Sequence, residues 1–290
     1  MEKNRPVVVG IGELLWDVFP DGKRAGGAPV NFVYHAAQSG AEGYAISAVG
    51  NDVNGSEIIQ ELENNLIDSC YISRVGYPTG SVLVELTDGI PSYTIVEGVA
   101  WDHIPLTQES IELMRHADAV CFGTLAQRAA ESRATLRELL SYMPDNALRF
   151  FDINIRQHFY SKELIEDLLG LANVFKINDE ELELMRPMFA LDGSVDEICQ
   201  SLIKRYGLRY LVLTAGADYS TIYSESESST IATPKVNVVD TVGAGDSFSG
   251  SFVASILKGC SLREAHQRAV DVAAFVCTQS GAWPKYPKDL

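Results

Sequence analysis

From residue 119 onward, short apolar runs alternate with longer segments whose apolar residues recur every three to four positions. Ala119–Gly123, Arg149–Ile153, Val174–Ile177 and Tyr210–Thr214 read as buried strands, and Glu131–Met143, Lys162–Leu171, Asp179–Met188 and Val195–Tyr206 as helices. Strands apolar throughout, separated by helices, predict a parallel sheet covered on both faces. Val7–Gly10 and Tyr44–Val49 extend that sheet. One helix follows, opened by Pro29 and closed by Gly40, and a second spans about Gly55–Asn65.

Residues 70–100 break the pattern. Ser81–Leu86 and Tyr93–Val96 alternate around Asp88-Gly89, which predicts a hairpin, and Val18–Arg24 is turn-rich and extended. These pieces form a small β lid, with segments at about 12–30 and 78–100 inserted at the sheet edge of one domain spanning 1–290. Near the C-terminus a helix runs from about Ala244 to Lys258-Gly259. Ser261 and Glu264 then form a capping box opening a last helix that ends near Gln279. Ser224–Thr230 reads as an exposed, acidic hairpin tip.

Composition narrows the partners. The 290 residues are 46% apolar and 21% charged, enough for a sizeable core, and the net charge of −16 disfavours nucleic acid and anionic membranes. The five cysteines are scattered without metal-binding spacing, which points to a reducing cytoplasm and no structural zinc. The five histidines show no ligand spacing. Lys3 and Arg5 precede the apolar Val7–Val9, but Glu13 and Asp17 interrupt the run, so it reads as a first strand rather than a secretion signal or membrane span.

Chemistry concentrates at Val239–Phe248. Two glycines, Gly243 and Gly245, lie at a helix start, where unpaired N–H groups and the helix dipole attract anions and the missing Cβ lets a polyanion approach. Asp246 would repel a bound phosphate. It fits if it takes a proton from a hydroxyl that attacks that phosphate, the geometry of phosphoryl transfer to an alcohol.

Asp240 through Phe248 resembles the C-terminal signature of the ribokinase-like (PfkB) sugar kinases, and Ala25-Gly26-Gly27-Ala28-Pro29-Val30-Asn31 resembles their N-terminal glycine-rich signature. The resemblance spans essentially the whole chain. It implies a three-layer α/β/α fold with a mainly parallel central sheet, a small β-sheet lid, and a homodimer formed through the lid. It also implies ATP and a small-molecule sugar as substrates, with Mg²⁺ and a monovalent cation such as K⁺. Asp246 would be the catalytic base, and the N–H groups of Gly243, Ala244 and Gly245 the anion hole. Asp17, Gly26, Gly27 and Asn31 would cradle the sugar. Arg156, in Asp152-Ile153-Asn154-Ile155-Arg156, would face it too. Asn178 and Glu181 match an N-x-x-E motif that orders Mg²⁺ through water, although an N-cap followed by first-turn acids writes the same string. Thr214 and Gly216 resemble the nucleotide-side T-x-G segment, with Tyr219 where a further glycine is usual. Asp240, with the loop Gln279–Ala282, would hold the monovalent cation.

Gly12-Glu13-Leu14-Leu15-Trp16-Asp17 and the D-x-N-x-R segment resemble fructokinases, so fructose phosphorylated to fructose 6-phosphate is the expected reaction. Alternatives are 2-keto-3-deoxygluconate, ribose or a nucleoside, with Tyr93 and Trp101-Asp102 expected to influence the choice. Val9-Gly10-Ile11-Gly12 raises a dinucleotide-dependent oxidoreductase, but a third glycine is missing at Leu15. A non-catalytic sugar sensor would have no need of Asp246.

Overall fold

The computed structural model describes residues 5–19, 22–87, 90–288 and 290. The expected turn at Asp88-Gly89 lies outside them, as does Lys3. The main sheet contains β1 (Val7–Ile11), β4 (Glu42–Gly50), β5 (Ile72–Val75), β8 (Ala119–Gly123), β9 (Leu148–Asp152), β10 (Val174–Asn178), β11 (Tyr210–Ala215), β12 (Tyr219–Tyr223) and β13 (Ser228–Ala232). Its order is β13-β12-β11-β10-β9-β8-β1-β4-β5, with every pair parallel except β11–β12 and β12–β13 at one edge. The chain leaves β1 toward β4 and later returns to its other side as β8. The ends of β1 and β8 are therefore the switch point where sheets of this kind open a crevice.

Strand alternation sends side chains into two cores. Val9, Ile11, Phe122, Phe151 and Phe175 face α3 (Gln108–Arg115), α4 (Ala130–Ser141), α5 (Lys162–Leu171), α6 (Asp179–Phe189) and α7 (Val195–Tyr206). There Phe122, Phe151 and Phe175 stack in a row with centroids 5.7 and 5.5 Å apart. Val8, Phe150, Val174 and Val212 face α1 (Ala28–Gln38), α2 (Val53–Asn64), α8 (Ala244–Leu257) and α9 (Leu262–Cys277). The fold is thus three-layered. Helices α1 and α8 approach closely because Gly250 has no Cβ; one there would lie 2.4 Å from the Phe32 carbonyl oxygen.

A second, four-stranded sheet has the order β3-β2-β6-β7 and is built from β2 (Leu15–Phe19), β3 (Gly22–Gly26), β6 (Gly80–Thr87) and β7 (Ile90–Ile95). Two antiparallel pairs meet through a parallel β2–β6 contact. It is tied to the body by Trp16 Nε1 donating to the Asn54 carbonyl, by Gln157 Nε2 donating to the Tyr93 carbonyl, and by Arg128.

Most periodic segments match their expected elements, and the differences have local causes. Strand β5 is short with two polar residues, and α3 spans two turns, so neither carries enough period to read. The Ser224–Thr230 stretch is only partly an exposed tip. Ser228–Thr230 enters β13, where Ser229 is buried and hydrogen-bonded to His266 Nδ1 at 2.9 Å. Trp101 and Asp102 lie outside the small sheet and are buried. Asp102 is paired with Arg128 at 2.8 Å, whose guanidinium sits 3.9 Å from the Trp101 ring centroid, so these two residues brace the body beside the small sheet.

Candidate active site

Helix α8 starts at the N-cap Gly243, whose φ of 77° is a left-handed conformation that glycine adopts without strain. The Ala244 N–H is taken up by the Thr241 carbonyl at 3.2 Å. The N–H groups of Gly243, Gly245 and Asp246 have no partner among the described residues. They form a concave set of donors at the positive end of the helix. Asp246, in the first turn, accepts a hydrogen bond on Oδ2 from Asn31 Nδ2 at 2.8 Å, which joins α8 to α1. Burial, reinforced by the charge of Asp152, raises its carboxyl to about 6, while Asn31, Lys176 and Arg156 pull the other way.

Beneath the loop lies a cation that the motifs did not single out. In β10, Val174, Lys176 and Asn178 share the face that looks toward α8, and Lys176 stands at the strand end below Gly245. A Cβ on Gly245 would sit 3.3 Å from Lys176 Nζ. Asp152, its register neighbour on β9, accepts from Nζ at 2.6 Å, and both side chains are buried. The ammonium is thereby held charged: burial works against it, but Asp152, Glu181 and Asp246 together raise its pKa. The signal in the sequence was a single lysine inside the otherwise apolar run Val174–Ile177.

Glu13 follows β1 at the switch point and is also buried. Its Oε1 accepts from the Ala28 N–H at 3.3 Å, and Oε2 has no partner. It shares a small cavity with Asp152, Asn154 and Asp246. Burial raises its carboxyl to about 7, with Asp246 adding to the rise. Gly27 supports this corner by close approach, since a Cβ there would fall 2.1 Å from the Glu13 carbonyl oxygen.

Asp17 projects from β2 beside Gly26, 3.1 Å from where a Cβ on that glycine would lie. Burial raises it to about 6 against the pull of Arg156 and Arg24. Arg156 is exposed, and its charge reaches Glu13, Asp17 and Asp246 alike, which gathers these groups around one opening. The loop leading to it bends through Asn154 and Gln157, both at positive φ, 38° and 50°. Asn31 is committed at both ends of its amide, to Asp246 and, through Oδ1, to Trp283 Nε1 at 2.9 Å.

On the other side of the loop, Asn178 and Thr214 are register neighbours on β10 and β11. Asn178 caps α6, its Oδ1 accepting from the Glu181 N–H at 2.8 Å and Glu181 Oε2 accepting from the Asn178 N–H at 2.9 Å. Glu181 Oε1 takes the Ile155 N–H at 2.8 Å, so each carboxylate oxygen keeps one lone pair for water. Gly216 turns at φ 47°, whereas Tyr219 is not among the positive-φ residues and opens β12 opposite Ala215. The turn therefore does not demand glycine at 219. Asp240 ties two loops together, with Oδ1 accepting from the Val242 N–H at 3.0 Å and Oδ2 from the Gly281 N–H at 3.1 Å.

The glycines that suggested a dinucleotide site serve packing. A Cβ on Gly10 would lie 2.2 Å from the Pro29 carbonyl oxygen, and one on Gly12 would lie 2.8 Å from Pro29 Cγ, so α1 fills the space a pyrophosphate would need.

A buried carboxylate at an open helix N-terminus, with a lysine beneath it and a small sheet above, defines a phosphotransferase of the ribokinase-like fold. Residues 12–289 match the pfkB family of carbohydrate kinases, and the chain belongs to that family. It is 27% identical over 303 residues to the sugar kinase PH1459 of Pyrococcus horikoshii, covering 98% of this chain and 94% of that protein. The structure of PH1459 in complex with ATP superimposes with a TM-score of 0.82, covering 97% of this chain and 96% of that one. The chain is also 26% identical over 309 residues to fructokinase-2 of Solanum lycopersicum, covering 97% and 93% of the two. With an ATP-dependent 6-phosphofructokinase of Thermoanaerobacterium thermosaccharolyticum it shares 25% identity over 292 residues, covering 95% and 89%. The protein is a carbohydrate kinase.

Proposed function

We propose that this kinase transfers the γ-phosphoryl group of ATP to the primary hydroxyl of fructose, giving fructose 6-phosphate. The observation that carries the transfer chemistry is the pairing of Asp246 with the unpartnered N–H groups of Gly243 and Gly245 above Lys176. Asp246 takes the hydroxyl proton on the oxygen not bonded to Asn31. The sugar oxygen then bonds to the γ-phosphorus, and the bond to the bridging oxygen breaks with its electron pair leaving on ADP. The helix N–H groups and Lys176 carry the charge that spreads over the phosphoryl oxygens. Asp17 and Arg156 hold the sugar, and the small sheet acts as a lid that keeps water from competing. Mg²⁺, when bound, neutralises phosphate charge. Asn178 and Glu181 fit its outer shell through the lone pairs left by their capping bonds. Asp240 and the Gln279–Ala282 loop are the candidate holders of a monovalent cation.

A second reading, fructose 6-phosphate as acceptor, is favoured by the identity to the 6-phosphofructokinase, which is close to that with the fructokinase. An ADP-release assay over fructose, fructose 6-phosphate, ribose, 2-keto-3-deoxygluconate and adenosine separates them. The expected result is the highest kcat/KM for fructose. A clear preference for another acceptor overturns the choice of sugar, and no turnover with any of them overturns the proposed reaction.

A further inference from the structure

The amide of Asn31 touches two groups whose hydrogen-bonding character admits no ambiguity. An indole N–H can only donate, so Trp283 Nε1 must face the amide oxygen, and it does so at 2.9 Å. An ionised carboxylate can only accept, so Asp246 Oδ2 must face the amide nitrogen, and it does so at 2.8 Å. The two ends agree on one orientation of a side chain that is otherwise free to flip.

Trp283 is itself held. The preceding Ala282 carbonyl accepts from His35 Nε2 at 2.9 Å, which leaves Nδ1 to accept from the Tyr286 hydroxyl at 2.7 Å. Burial lowers His35 to about 3, so this bridge stays neutral at any pH the enzyme meets. The Tyr34 ring lies 6.2 Å from the Trp283 ring, centroid to centroid. His35 and Asn31 are one turn apart on α1, so a single helix face carries both the clamp on the C-terminal loop and the partner of Asp246. The same loop touches the anion loop, since a Cβ on Gly243 would lie 3.0 Å from Ala282 Cβ.

We propose that Trp283 is a positioning residue for the base: its indole N–H fixes the Asn31 amide so that Nδ2 holds Asp246 Oδ2, leaving the other oxygen for the sugar hydroxyl. This rests on Asp246 being the base of a sugar kinase. Without the indole N–H, the amide can present its oxygen to the carboxylate. Asp246 then loses the Asn31 hydrogen bond that favours its ionised form, and its pKa moves up. Glu13 shares the cavity with Asp246, Asp152 also pushes Asp246 upward, and Lys176 and Arg156 oppose that rise; none of the four is altered by the change.

The test is Trp283→Phe, which keeps an aromatic ring against Tyr34 while removing the donor together with part of the indole, and benzothienylalanine at 283, which removes the donor alone. The expected result is a fall of about tenfold in kcat with the sugar KM changed less than about threefold, and an acid limb of the pH–rate profile displaced upward by about half a unit or more. In an Asn31→Ala background the same substitution should have little further effect. If Trp283→Phe folds poorly, benzothienylalanine at 283 matches the indole in shape without its N–H and should give the same displacement. A superimposable pH profile with kcat within about twofold, or an equal loss in the Asn31→Ala background, overturns the role of Trp283. Wild-type enzyme inactive on every sugar would instead overturn the kinase reading beneath it.

Discussion

Burial and Asp152 keep the Asp246 carboxyl near 6, while the proposed role as base requires it ionised. The rate should therefore be level above pH 7 and fall with one-proton dependence below about pH 6, as a pH profile of kcat/KM would show. Asp246→Asn should lower kcat by about 10³ with nucleotide binding preserved, measured by ADP release and by calorimetry with ATP. The stability sign follows from a folded pKa above the unfolded value of 3.8. The folded state favours the protonated carboxyl, so this stabilisation is present below pH 4 and is lost as pH rises through 6. The asparagine variant should thus melt above wild type at pH 8, with the gap closing toward pH 4. The loop around the aspartate was legible in the sequence, but its raised pKa was not, because it depends on burial and on Asp152, both set by distant parts of the chain. Lys176 was hidden for the same reason. It lies two residues before the N-x-x-E motif, yet its place beneath Gly245 depends on which strand neighbours which.

Among elements, α8 carries the site and is fixed by its contact with α1. The serines of α8 return their hydroxyls to their own helix backbone, as Ser251 does to the Ser247 carbonyl at 2.6 Å, so the helix presents a smooth surface to α1. Gly250 lets the two helices touch, and Gly250→Ala must push Phe32 or Ala36 aside. The expected cost is about 1–3 kcal/mol, read as a lower urea midpoint at unchanged m-value. Activity should drop as well, because Asn31 on α1 and Asp246 on α8 would separate. Helices were legible from a repeat sustained over several turns, and the parallel strands from unbroken apolar runs between them. The edge strand β5 and the short α3 were not, being held by neighbours rather than by their own pattern. The capping box of Asn178 and Glu181 writes the same string as a metal-ordering motif, and only its hydrogen bonds show that the cap is made.

At the scale of the whole molecule, the small sheet reaches the body through Arg128. Its guanidinium donates to the Val96 carbonyl at 2.6 Å and pairs with buried Asp102, while its ring contacts include Trp101 and Phe159. Arg128→Met would take away the ion-pair partner of buried Asp102 and leave it only the Gly98 and Val99 N–H groups, at a cost of about 3 kcal/mol. The sugar KM should rise as the lid loosens, and thermal melting with steady-state kinetics would reveal both effects. A homodimer through the lid remains a proposal, and a monomeric mass by light scattering at micromolar concentration would count against it.

The sequence by itself determined the alternation of strands and helices, the glycine loop with its aspartate at a helix start, and the family resemblance, because period, capping and turn chemistry are short-range properties. What tertiary structure alone decided is which residues meet. Asn31 finds Asp246 across 215 positions and Trp283 finds Asn31 across 252, while Lys176 comes under Gly245. Those meetings follow from the strand order and from the close approach of α1 and α8. Neither is written in any local pattern, since both arise only when the whole apolar surface is buried at once.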